Sequence, residues 1–380
     1  MAAHSTALAQ ILKLVPRHEF DELARRHHQG RKLRQVSRWS QFVALMLGQL
    51  AGRSSLRDVV TNLTAQSRKL YHLGARVVAR TTLARVNERQ PYSLYEALFG
   101  RLLEHCMRQA PRHGFRFKNR LYSLDATLID LCLSVFPWAT YKATKGALKI
   151  HVGLDHSGCL PAFATITEGG RHEIQWARSL RLPCGSVVVF DRGFADYSWW
   201  KSLHRKKIIF VTRLKKSAIQ RVVERRTVNP GSGVTSDQTV LLGGEGDNGL
   251  RLRRVGYRDP ETAKHYVFVT NAFHLAAKTV ADIYRDRWKI ELFFKWIKQN
   301  LKIRAFLGTS KNAVLTQVWI ALCAYLLLAF IKFANQVGIS LSRMLQLLQL
   351  NLFERRDLLC LLKPPLPTLS PQPQVALQFS

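Results

Sequence analysis

In the first 115 residues apolar positions recur at helical spacing between basic stretches, and from Asn119 they alternate or run on as strands do. A cationic run, Arg25-Arg26-His27-His28 with Arg31-Lys32-Leu33-Arg34, precedes a helical segment from Trp39 to Leu50. Ser55-Leu56-Arg57-Asp58 has capping-box spacing, with Asp in the place usually held by Glu or Gln, ahead of Val59-Val60. After a turn around Gly74, residues 80 to 89 predict a short helix carrying Arg80, Thr82 and Arg85. Arginines and a short hydroxyl on such a helix suit DNA phosphates and base edges, and they suit a solvated face equally well.

Three β-rich runs follow, LYSLDATLIDL, ALKIHVGLD and PAFATITEG, separated by turn residues. A helical stretch from His172 to Leu180 leads to the continuous apolar run Val187-Val188-Val189-Phe190, which ends in Asp191-Arg192-Gly193. Helix-prone residues 195 to 205 and a strand from Ile208 to Thr212 come next. Strands alternating with helices predict an α/β fold, a mixed sheet with helices packed on it. Residues 214 to 270 change character: Arg, Lys and Gly surround strand-like runs at Thr239 to Leu242, Leu250 to Tyr257 and Tyr266 to Thr270, with the loop GGEGDNG between. They read as an inserted β subdomain. The expected organisation is a basic helical DNA-binding domain at 1–115, a catalytic domain at 116–335 containing the insert at 214–270, and a C-terminal helical segment at 336–380. That last segment closes on PPLPTLSPQPQ, too rich in proline to continue a helix.

Residues 277 to 302 predict one long helix. With ~100° per residue and Tyr284 at zero, Arg287, Glu291 and Lys298 fall near ~300°, ~340° and ~320°. These four polar side chains therefore share one strip. Ile283, Ile290, Phe293, Phe294, Ile297 and Leu301 fill the neighbouring sector. Asp286 falls among them with no local reason. An ordinary amphipathic helix with surface ion pairs, such as Glu291 with Lys295, would show much the same strip.

Charge sharpens the choice. Lys and Arg number 58 against 25 Asp and Glu, a formal net charge of +33. Self-repulsion on that scale calls for a polyanionic partner, and nucleic acid fits best because neutralised phosphates release counterions. A generically basic or ribosome-associated protein is the bland alternative. With 47% hydrophobic residues the chain can bury a sizeable core. The six cysteines (Cys106, Cys132, Cys159, Cys184, Cys323 and Cys360) contain no C-x-x-C pair, which argues against a zinc ribbon and suits a reducing cytoplasm. Met1 to Val15 lacks the pattern of a signal peptide. Ala313 to Phe333 is long enough to cross a bilayer, but Thr316, Gln317 and Lys332 favour a buried core helix, with no membrane contact.

Two aspartates complement Glu291. Asp125 lies inside an apolar strand, alternating with Ser123 and Thr127, where an unpaired charge is costly. Asp191 ends an apolar strand, where open α/β sheets place ligand groups. Three carboxylates suit hard, oxygen-preferring ions such as Mg²⁺, and two such ions promote in-line displacement at phosphorus.

The array Tyr284-x-x-Arg287-x-x-x-Glu291-x-x-x-x-x-x-Lys298 resembles the Y-R-E-K signature of the insertion-sequence-four family of bacterial transposases. Asp125-Ala126-Thr127-Leu128-Ile129 is similar to that family's first-aspartate motif, with Ala126 in place of the commoner serine, and Val189-Phe190-Asp191-Arg192-Gly193-Phe194 is similar to its second. The three acids stand 66 and 100 residues apart, and the second gap holds the β-rich insert. The resemblance spans about residues 17 to 362. It implies a ribonuclease-H-like core in which Asp125, Asp191 and Glu291 hold two Mg²⁺ ions, or Mn²⁺, and Tyr284, Arg287 and Lys298 grip double-stranded DNA. It also implies cut-and-paste DNA transposition at terminal inverted repeats through a hairpin intermediate, by a homodimer acting in trans. The insert of such relatives carries a stacking aromatic. No Trp lies between Trp200 and Trp288, so Tyr257, Tyr266 and Phe268 are the candidates. Lys149 and His151, on the strand after Lys145-Gly146, could approach the site, but a solvated strand edge is the preferred reading. The alternative function is a catalytically inactive, DNA-binding relative or repressor of transposition.

Overall fold

A computed structural model describes residues 5–142, 144–215, 217–229, 231–242 and 249–363. The GGEGDNG loop (but for its last Gly) and the proline-rich tail lie outside the described residues. The N-terminal part is helical: α1 (Ala7–Leu12), α2 (Arg17–Arg26), α3 (Arg38–Leu50), α4 (Leu56–Ala65), α5 (Ser67–Leu70), α6 (Arg80–Arg89) and α7 (Ser93–Gln109). The Ser55 hydroxyl accepts from the Asp58 N–H at 3.1 Å, so the capping spacing does start α4.

The central part carries β1 (Leu121–Leu131), β2 (Thr140–Lys142), β3 (Lys145–Asp155), β4 (Leu160–Glu168), α8 (Glu173–Ser179), β5 (Val187–Phe190), α9 (Tyr197–Arg205) and β6 (Ile209–Arg213). Then come β7 (Gln220–Arg226), β8 (Val234–Leu242), β9 (Leu250–Arg258) and β10 (His265–Thr270). The chain continues through α10 (Ala277–Asp286), α11 (Trp288–Asn300), α12 (Lys311–Ala334), α13 (Leu341–Asn351) and α14 (Leu358–Leu362).

Among the described residues the strands form one ten-stranded sheet in the order β2-β3-β1-β5-β6-β10-β9-β8-β7, with β4 on β3. β5 runs parallel to β1 and β6, and the other pairings are antiparallel. The strands of 214–270 thus extend the central sheet, because β10 pairs with β6. Buried Arg253 fastens this extension to the segment that leads into α10: its guanidinium holds Asp237 at 2.6 Å and donates to the carbonyls of Ala272, Phe273 and Leu275.

Side-chain alternation sorts the sheet into two faces. Leu121, Val187, Val189 and Val211 pack with Val280, Ala281 and Ile283 of α10. Tyr122, Leu124, Val188 and Phe190 face the other way, toward Trp176 of α8 and Trp199, Trp200 and Leu203 of α9. The Lys311–Ala334 helix is apolar and long enough to cross a membrane, but 94% of its apolar window is buried inside the protein. Residues from α1 to α7 pack around it in one continuous hydrophobic cluster with α11 and α13. Each fully buried Leu there contributes about 1.5–3 kcal/mol, so the apolar run is accounted for as core. Helix α13 belongs to the same cluster, with Met344, Leu345 and Leu348 buried.

Candidate active site

The paired register Leu124↔Phe190 on the adjacent parallel strands β1 and β5 places Asp125 and Asp191 one step further along both. Strand parity puts both carboxylates on the face covered by α10 and α11. Asp191 leaves the sheet at the strand end, where its Oδ1 accepts from the Gly193 N–H at 2.8 Å and its main-chain oxygen accepts from the Thr212 hydroxyl at 3.2 Å. A Cβ at Gly193 would stand 2.9 Å from Asp191 Oδ1 and 3.4 Å from Glu173 Oε2, so a larger residue here would push the Asp191 carboxylate out of place.

The expected single helix is broken at Arg287, between α10 and α11. Bonds of three-residue span close the break: the Arg287 N–H reaches the Tyr284 carbonyl at 3.2 Å, and the Ile290 N–H reaches Arg287 at 3.1 Å. Arg287 consequently folds over the start of α11. Its guanidinium lies 2.5 Å from Glu291 Oε1 and 3.6 Å from Asp125 Oδ2, joining acids 166 residues apart in the chain. Asp125 Oδ1 also accepts from the Ala126 N–H at 2.8 Å.

Burial pushes the Asp125 carboxyl up to about 7, with the Ala126 N–H and Arg287 opposing and the charges of Asp191 and Glu291 adding to the rise. Asp125 therefore feels the charge of both other acids. Among the described residues no three acidic, His or Cys side chains are arranged as a ready-made metal cage. The donors that could hold a metal ion here are Asp125, Asp191 and Glu291. Their chemistry fits a hard divalent cation, because such an ion offsets both the burial that chiefly raises Asp125 and the smaller repulsion from Asp191 and Glu291.

Tyr284 sits under the Arg287 guanidinium, 5.6 Å from ring centroid to carbon, and packs on Phe268 at 4.9 Å. Burial raises its phenol above the ordinary range, against Arg287 and Arg213 and with help from Asp191. Lys298 lies further along α11, where burial and Arg304 lower its pKa and Asp130 opposes them. Arg80 and Arg85 are exposed and Thr82 half-buried on α6, which packs on α3, α4 and α12, elements that do not carry the carboxylates.

Lys149 and His151 are not a solvated edge. The register Asp125↔Val152 puts them on the opposite face, where they are 9% and 0% exposed. Lys149 pairs with Glu173 at 3.3 Å, His151 bonds Thr167 at 3.0 Å and stacks on Trp176, and burial pulls its pKa down to about 4. Of the candidate stacking aromatics, Phe268 and Tyr257 are buried, and Tyr266 is half-buried under Arg213 at 5.0 Å. Sequence reasoning missed Trp288, which is 58% exposed beside Arg287. Its place next to Arg287 was visible in the sequence, but its exposure was not.

Asp286, unexplained by periodicity, meets Lys289 at 2.5 Å and faces buried His156 at 3.8 Å. His156 hydrogen-bonds Ser123 at 2.6 Å.

The family model of the transposase DDE domain matches residues 116–327, more than half of the chain. The protein belongs to the DDE transposase family, enzymes that cut and join DNA strands with the help of divalent metal ions. It is 34% identical over 291 residues to y4zB of Sinorhizobium fredii, a transposase by assignment, covering 74% of this chain and 80% of that protein. It is 30% identical over 266 residues to the protein assigned as the transposase of insertion sequence element IS5377 in Geobacillus stearothermophilus, covering 69% of this chain and 70% of that one. Residues 3–76 match a second model, a domain of unknown function (DUF4372). The cryo-EM structure of the piggyBac transposase synaptic complex with hairpin DNA superposes with a TM-score of 0.45 at 12% identity, covering 90% of this chain and 77% of that chain. That likeness is too loose to argue from.

Proposed function

We propose that this transposase binds the terminal inverted repeats of an insertion sequence and performs cut-and-paste transposition at Asp125, Asp191 and Glu291, with Mg²⁺ (or Mn²⁺) held by those three side chains. The reading is supported chiefly by one observation: Asp191 and Glu291, 66 and 166 residues from Asp125 in the chain, both come within electrostatic reach of it, and Arg287 pairs with Asp125 and Glu291. Bound divalent ions would supply Lewis-acid polarisation of the scissile phosphate. The chain's own residues do the rest. Asp125 and Asp191 are fixed by the sheet, Asp125 through its own next N–H and Asp191 through Gly193, so neither must reorganise when substrate arrives. Arg287 and Lys298 supply cations for the DNA backbone, and Tyr284 holds the guanidinium from below. After a first nick, the freed 3′-hydroxyl attacks a phosphodiester of the opposite strand and displaces that strand's 3′-oxygen, leaving a hairpin; water reopens the hairpin, and the regenerated 3′-hydroxyl joins a target strand by displacing its 3′-oxygen.

The domain plan that goes with this reading is a DNA-binding unit at 1–115, with Arg80, Thr82 and Arg85 toward DNA, a catalytic unit at 116–335 and a C-terminal segment at 336–380. Two copies act in trans in the cytoplasm, where free cysteines such as buried Cys106 and Cys323 stay reduced. The test is incubation with paired DNA ends bearing the inverted repeats. Mg²⁺ should give nicked, hairpin and joined products, and EDTA should stop all three. Hairpins that never appear, with nicking intact, would remove the hairpin step.

Arg287→Ala and Lys298→Ala should each weaken binding to the DNA end and reduce the slope of log affinity against log salt by about 0.9, the value for one lost phosphate contact. A fluorescence titration at several salt concentrations reads this directly. An unchanged slope would place the side chain away from the backbone.

A further inference from the structure

The residue types Ser123, His156 and Asp286 are those of a nucleophile triad, but Ser123 is 0% exposed and no substrate can reach its oxygen. Another role must explain why three polar groups line up through the interior. Ser123 lies on β1 two residues before Asp125, so both side chains leave the strand on one face. His156 follows β3, its N–H bonded to the Leu121 carbonyl at 2.9 Å, and its ring is 0% exposed. Its Nε2 meets Ser123 Oγ at 2.6 Å, and its Nδ1 faces Asp286 Oδ2 at 3.8 Å. Nδ1 has no hydrogen-bond partner at that separation. Asp286 is the last residue of α10, adjacent to the break and five residues before Glu291. Lys289 holds that same Oδ2 at 2.5 Å, so the carboxylate oxygen facing the ring is itself anchored at the start of α11, and Asp155 also lies within electrostatic range of the ring.

The two helices on either side of the break are rooted separately. α10 packs through Val280, Ala281 and Ile283 on the β5–β6 side of the sheet, whereas α11 packs through Ile290, Phe293 and Phe294 into the cluster around α12. Those contacts leave the joint at Arg287 as the point where one half can turn against the other. That joint carries Arg287, and the first turn after it carries Glu291.

We propose that Ser123, His156 and Asp286 form a buried positioning clamp that fixes the α10–α11 joint against β1 and thereby sets Arg287 and Glu291 opposite Asp125. The inference rests on reading those acids as the catalytic set. The neutral imidazole accepts from the Ser123 hydroxyl and presents its Nδ1–H to the Asp286 carboxylate, so the clamp works without any change of charge. His156 is a positioning residue and touches neither DNA nor metal.

The test compares Ser123→Ala, Asp286→Asn and the double variant with the parent, using single-turnover cleavage of a DNA end normalised to the fraction of correctly folded protein, alongside the Kd for that end. Each single variant should lose roughly 10- to 100-fold in the cleavage step, the scale of a misplaced catalytic group, and weaken the Kd by less than Arg287→Ala does, because Arg287 is displaced rather than removed. The double variant should be no slower than the slower single one, because both break one tie. Asp286→Asn is the safer of the two for folding, since its side chain is 26% exposed. A normal rate per folded molecule, or losses that multiply, would overturn the clamp. Glu291→Gln in the same assay separates the two ideas: if it cleaves normally the catalytic assignment falls and the clamp with it, whereas an inactive Glu291→Gln beside a normal Ser123→Ala and Asp286→Asn defeats the clamp alone.

Discussion

Glu291→Gln should lower Mg²⁺-dependent cleavage of the element's ends by about 10³-fold, while binding to those ends stays near the parent value. The substitution keeps the shape of the side chain and removes one negative charge. If metal-held charge stabilisation is worth several kcal/mol, losing about 4 kcal/mol of it corresponds to roughly three powers of ten in rate. Folding should be little affected, because Glu291 is 33% exposed and its one close partner, Arg287, keeps Asp125. Filter binding and single-turnover cleavage on one preparation separate the two properties. Undiminished cleavage would remove Glu291 from the catalytic set.

Asp125→Asn should lose cleavage to a similar extent but, unlike Glu291→Gln, should make the metal-free protein more stable above neutral pH. The sign follows from the carboxyl being pushed from an ordinary 3.8 to about 7 in the folded chain, chiefly by burial. Between those two values the folded state holds a proton that the unfolded state has released, so stability declines as pH rises through that window. The cost is absent below about pH 4 and complete above about pH 7. Asparagine has no charge to bury, and Arg287 retains Glu291 as its partner. The variant should therefore melt a few degrees higher at pH 8 and nearly with the parent at pH 4, on the scale of about 2–4 °C per kcal/mol or somewhat less in a chain of this size. Thermal melts at the two pH values, in EDTA, measure it. A lower melting temperature at pH 8 would mean that the Asp125 charge stabilises the fold and that the site is not held under electrostatic tension.

The strands that carry the aspartates were legible because their signal is local. Period-two alternation around Asp125 and the apolar run ending at Asp191 are properties of the two strands themselves, and both strands form as expected. The helix that carries Glu291 was also visible, but its uniform turn was not. A uniform helix turns ~100° at every residue, whereas the tighter bonds around Arg287 bring that guanidinium onto Glu291 and toward Asp125. Asp286 lacked a reason because its partner, His156, is 130 residues earlier in the chain. Lys149 and His151 depart from the expected solvated edge for a similar cause. Their own strand shows which residues share a face, but only the pairing of β3 with β1 shows which face Asp125 occupies. The strands of 214–270 were recognisable, whereas their joining to the central sheet depends on β10 meeting β6, a contact fixed by tertiary packing.

The central claim is that Asp125, Asp191 and Glu291 share divalent ions. A crystal of the protein with its DNA end, soaked in Mn²⁺ and recorded at the manganese edge, tests it most directly. The account predicts anomalous peaks at about 2.0–2.6 Å from carboxylate oxygens of all three residues, the range for hard cations with oxygen ligands. Manganese bound elsewhere, with any of the three carboxylates turned away from it, would contradict the account.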